Sequence, residues 1–157
     1  MCMMVYVAAD SPLPTSEWDK THPGFHVGVV SGRNQRVRHQ FSKPFVYRVG
    51  SHKGCGCGFD WDGFDGVDEA DPEFADAHES RRRLAEFLAE GLRFQPDLEL
   101  YACWNGDEAS EPETRGRIAP ADLIGGHTSF GEKEWLLVVD PTDRENPSET
   151  RFEPPPD

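Results

Sequence analysis

Hydrophobic and polar positions along this chain change period several times, and the changes mark out a series of short elements. Met3 to Ala9 is a short apolar run rich in Val and Tyr, closed by Asp-Ser-Pro, the pattern of a buried strand. Phe25, Val27 and Val29 alternate with His26, Gly28 and Val30 ahead of Ser31-Gly-Arg-Asn34, which predicts a second strand running into a hairpin. Phe45 to Val49, entered through Pro44, reads as a third strand, and it delivers the chain into Ser51-His-Lys-Gly-Cys-Gly-Cys-Gly58.

After an acidic stretch the period lengthens. Phe74, Ala77, Leu84, Phe87, Leu88 and Leu92 recur at three- and four-residue spacing, which predicts one long helix with Asp71 as N-cap, Pro72 at the first helical position and Gly91 at its end. Leu98, Leu100, Ala102 and Trp104 then alternate with Glu99, Tyr101 and Cys103, a half-buried strand broken at Asn105-Gly106. A loop rich in Glu and Pro leads to a single helical turn at Pro120 to Ile124, and Glu134 to Asp140 is a final buried strand. The order of elements predicts an α+β fold, a single mixed or antiparallel sheet of about five strands with one long helix packed on one face.

Composition refines this picture. A chain of 157 residues with 36% hydrophobic and 11% aromatic residues can bury a core without disulfide staples. Residues 1–140 are expected to form a single domain, and residues 141–157 an acidic, Pro-rich, flexible tail. No run of eighteen apolar residues occurs and the first residues lack a basic, signal-like start, so a cytoplasmic protein without a membrane partner is expected. In a reducing compartment the four cysteines read as buried residues, metal ligands or redox thiols rather than as disulfides.

The net charge of −13 disfavours nucleic acid as a partner. That charge is unevenly spread: Lys20 to Gly58 holds seven basic residues and no acid, while Phe59 to Glu79 holds nine acids and no Lys or Arg. Arg33, Arg36 and Arg38 are expected at a solvated hairpin tip.

Two stretches carry candidate chemistry. Cys55 and Cys57 form a C-x-C pair flanked by glycines that let the backbone curl around one soft or borderline ion such as zinc. Tetrahedral zinc needs four N or S ligands, so His52 or a distant cysteine, Cys103 or Cys2, has to complete the set. We take His52, Cys55, Cys57 and Cys103 as the expected ligands. The same pair suits thiol-redox chemistry, with His52, Lys53 and the basic stretch expected to lower a thiol pKa. An inert glycine-rich turn is the bland alternative.

The acidic stretch has the oxygen-rich look of a calcium loop, but Phe64 and Asp65 stand where a ligand and the sharp-turn glycine belong. Trp61, Asp62, Phe64 and Asp65 instead fit an acidic, aromatic docking face for a basic protein partner, as in an inhibitor or immunity-type protein without catalytic activity.

Overall fold

The first apolar run forms the centre of the sheet. In the computed structural model, which describes residues 2–59, 70, 72–124 and 130–144, Met3–Ala9 is strand β1 with all seven residues buried. Successive side chains of a strand point to opposite faces. Met3, Val5, Val7 and Ala9 accordingly enter one hydrophobic cluster, and Met4, Tyr6 and Ala8 enter a second on the other side. A strand covered on both faces has no solvated position, which is why the run is unbroken.

Around it lie β2 (His26–Val29), β3 (Phe45–Gly50), β4 (Asp97–Trp104), β5 (Thr114–Ile118) and β6 (Glu134–Val139), in a six-stranded sheet of order β2-β3-β1-β4-β6-β5. Val5 of β1 stands opposite Val49 of β3 on one side and Ala102 of β4 on the other. Every pairing is antiparallel except β5 with β6, so the sheet is mixed and the fold is α+β as the sequence predicts. The sheet has one strand more than expected. That strand, β5, reads Thr-Arg-Gly-Arg-Ile and buries only Ile118. An edge strand with little buried surface needs no apolar alternation, and its charges discourage further pairing.

Helix α1 (Pro72–Gly91) covers the first face, burying Ala77, Leu84, Ala85 and Leu88. Full burial of one such leucine contributes about 1.5–3 kcal/mol. The helix ends where the spacing predicts. The expected N-cap Asp71, the docking residues Trp61, Asp62, Phe64 and Asp65, and the tail beyond Arg144 lie outside the described residues. Within the expected tail, Pro141–Arg144 forms a short helix, α2.

The second face carries a different cover. β2 and β3 are neighbours, but a 3₁₀ helix at Gly32–Gln40 connects them in place of the expected hairpin. Val37 of that helix is buried beside Tyr6 and Tyr101, and this cover over a second core is what the tight turn would have left out. Gln40 Nε2 donates to the carbonyls of Glu108 (2.9 Å) and Ser110 (2.7 Å), tying the 3₁₀ helix to the loop after β4. Tyr6 OH donates to Glu108 Oε1 at 3.1 Å beneath them.

Glu99 of β4 is buried on this face. Its carboxylate accepts from the Ser42 backbone N–H at 3.0 Å and from the Ser42 hydroxyl. Burial pushes the Glu99 carboxyl up, and the Ser42 hydrogen bonds only partly offset it. A carboxyl whose folded pKa lies above its unfolded value contributes stability at low pH that is lost as pH rises through the folded pKa. Glu99→Gln keeps the hydrogen-bonding shape and removes that loss. Its stability relative to wild type should therefore increase with pH from the carboxylate range towards neutrality, measured by urea denaturation at a series of pH values; a decreasing difference contradicts the assignment.

Candidate metal centre

Strand β3 ends at Gly50 and the chain folds into a compact loop whose hub is the fully buried Ser51. The Ser51 backbone N–H and hydroxyl both donate to the Cys55 carbonyl, at 2.8 and 2.6 Å. The hydroxyl oxygen in turn accepts from the backbone N–H groups of Lys53 (3.2 Å) and Gly58 (3.0 Å). One small side chain thus satisfies the polar groups of a tight turn that is buried at its base.

The glycines have separate reasons to be there. Gly54 sits at φ +83°, a conformation that side-chain-bearing residues rarely adopt, with the Trp18 indole packed over it. Gly56 allows a close approach to the start of β1. A Cβ there would lie 2.8 Å from both the Met3 carbonyl oxygen and Val5 Cγ2. That approach lets Cys57 Sγ accept a hydrogen bond from the Met3 backbone N–H at 3.2 Å.

The result is a convergence of three thiols. Cys2, just before β1, joins Cys55 and Cys57 so that the three Sγ atoms all lie within 4.8 Å of one another. Cys2 is held by its carbonyl, which accepts from the Asn105 N–H at 2.8 Å. Tetrahedral ligation with metal–sulfur bonds of about 2.3 Å needs sulfurs about 3.8 Å apart, a separation that small side-chain rotations reach from here. Cys55 is buried, Cys57 half-buried and Cys2 exposed, so the trio has an inner wall and an open side.

The other two expected ligands stand elsewhere. Cys103 faces the second core, opposite Met4 in the β1–β4 register, because Leu98, Leu100 and Ala102 take the α1 side and alternation sends Cys103 the other way. Burial there pushes its thiol up to about 12. His52 turns to helix α1: Ser80 Oγ accepts from the His52 backbone N–H at 3.1 Å and lies 2.9 Å from His52 Nδ1. His52 fastens the loop to the helix rather than joining the thiols.

The expected lowering of a thiol pKa is corrected as well. Burial pushes the Cys55 thiol up to about 11; the Cys57 backbone N–H opposes the rise and the Cys57 side chain adds to it. The adjacent cations do not reverse it. Lys53 Nζ is paired with Glu73 at 2.6 Å, and burial lowers the His52 pKa so that the ring is neutral near pH 7. Among the described residues no helix is long and apolar enough to cross a membrane. No family model, curated protein or solved structure matches the chain.

The close approach of Gly56 to β1 gives a direct check on the loop. Gly56→Ala should destabilise the metal-free protein by about 1–3 kcal/mol, the usual cost of overpacking a tight contact. Gly28→Ala, where an added Cβ meets nothing within 4 Å, should change stability by less than about 0.5 kcal/mol. Urea denaturation in chelator compares the two, and equal effects would mean that the loop does not press on β1.

Proposed function

We propose that this domain binds one soft or borderline metal ion, zinc in the first instance, through the thiolates of Cys2, Cys55 and Cys57. The observation that carries the reading is the meeting of three thiols from two segments more than fifty residues apart, inside one 4.8 Å sphere of contacts. The Met3 N–H donated to Cys57 Sγ adds support, because such a bond stabilises thiolate charge. The exposed side at Cys2 leaves room for a fourth ligand from solvent or from a bound molecule, the arrangement of zinc sites that are not closed by protein. Bound there, the ion would clamp the start of β1 to the loop after β3 and couple metal affinity to folding. Thiol exchange is the weaker reading, because burial pushes the Cys55 thiol up.

Reduced protein reconstituted with zinc and freed of excess ion should retain one equivalent by elemental analysis. Cys2→Ser, Cys55→Ser and Cys57→Ser should each lower the affinity by more than about 100-fold, beyond the 10- to 100-fold effect of disturbing only the surroundings of a ligand. Cys103→Ser should keep the metal. Affinity should also fall by about tenfold per pH unit on acidification for each thiol that is protonated in the metal-free protein. Metal-free protein after reconstitution, or full retention in Cys2→Ser and Cys57→Ser, would sink the proposal.

A further inference from the structure

Beside Cys2, on the face of the sheet covered by the 3₁₀ helix, lies a pocket of about 620 Å³ bordered by Arg33, Arg36 and Arg48. Arg33 and Arg36 belong to the 3₁₀ helix, whose three residues per turn bring side chains three apart onto one edge. Arg48 comes from β3, where its guanidinium donates to the Gly54 carbonyl at 2.9 Å and is thereby held in place. Asn34 and Asn105 add amide groups to the rim, and Met4 forms an apolar part of the wall.

None of these arginines has a carboxylate partner, a condition they share with Lys20 and Arg38 among the described residues. Lys43, Lys53, Lys133, Arg82, Arg83 and Arg93 each pair with a carboxylate. Among the described residues Arg33, Arg36 and Arg48 make no such pair, in a chain with 29 acids and 16 Lys and Arg. The one carboxylate on the pocket, Glu108, is buried and turned to other donors, Tyr6 OH at 3.1 Å and the Gly106 N–H at 2.9 Å. Arg33 and Arg36 are exposed, as expected, but they stand on a 3₁₀ helix rather than a hairpin tip and also border this pocket.

We propose that this pocket binds the phosphate groups of a small phosphorylated molecule. Three guanidinium groups and no lysine favour a ligand with several oxygens at fixed angles, since each planar fork can hold two of them. The volume falls within the usual range for small-molecule sites, about 300–1,000 Å³, and exceeds what one phosphate fills. No aromatic ring lines the pocket to stack a base, and the overall charge of −13 repels a nucleic-acid strand. A compact phosphorylated compound is what remains. The proposal does not rest on the metal reading, although Cys2 borders both sites.

Calorimetric titration of the full chain at fixed ionic strength, with pyrophosphate, inorganic phosphate and citrate as probes, tests it. Wild type should bind pyrophosphate at one saturable site, more tightly than phosphate and at least tenfold more tightly than citrate. Arg33→Gln/Arg36→Gln, which alters exposed side chains only, should weaken pyrophosphate at least tenfold. Arg93→Gln, two residues past the end of α1, should bind as wild type does. Wild type stripped of metal should bind pyrophosphate as before, which separates this site from the thiols. No saturable binding, citrate as tight as pyrophosphate, equal affinity in the double variant, or loss on metal removal would each overturn it.

Discussion

The antiparallel pairing of β1 between β3 and β4 is the constraint on which the rest depends. Because both neighbours run opposite to β1, the start of β1 lies beside the end of β3 and the end of β4. Three chain segments distant in sequence therefore meet at one end of the sheet: Cys2, the loop at residues 51–58 and the Asn105–Gly106 turn. A one-residue slip of β1 would exchange its two buried faces and carry Tyr6 away from Glu108. Full burial of both faces makes such a slip costly, so the register that positions the thiols is held by the core itself.

What the sequence disclosed follows from how local each signal is. The apolar run of β1, the three- and four-residue spacing of α1 and the alternation in β4 are local patterns, and each reappears in the structure within a residue or two. β5 was hidden because an exposed edge strand needs no pattern. The 3₁₀ helix was hidden because Ser31-Gly-Arg-Asn carries turn chemistry, whereas the demand for a second-face cover comes from Tyr6 and Tyr101, far away in sequence. The thiol site divides the same way. The Cys55–Cys57 pair with its glycines is visible in one short stretch, but choosing Cys2 over Cys103 requires knowing that β1 pairs with β3 and which side of β4 faces α1.

Charge shows a similar gap between sequence and space. Lys53 and His52 adjoin the cysteines in sequence and look like thiol activators. In space Lys53 is spent on Glu73 and His52 on Ser80. Arg33 and Arg36 are solvated, as the sequence suggests, yet they also border a pocket with Arg48. Local field depends on which charges are left unpaired at short range, because the effect of distant surface charges is screened within about 8–10 Å at ordinary salt.

The raised Cys55 thiol also bears on the chemistry proposed for the cluster. Burial pushes that thiol up to about 11, which disfavours Cys55 as a fast nucleophile at neutral pH. A metal ion that binds the thiolate offsets the cost of ionising it, because ligation and proton release are coupled. Burial of Cys55 therefore weighs against a reactive thiol far more heavily than against a metal ligand. It also makes the neighbouring, exposed Cys2 the side from which an ion would reach the other two sulfurs.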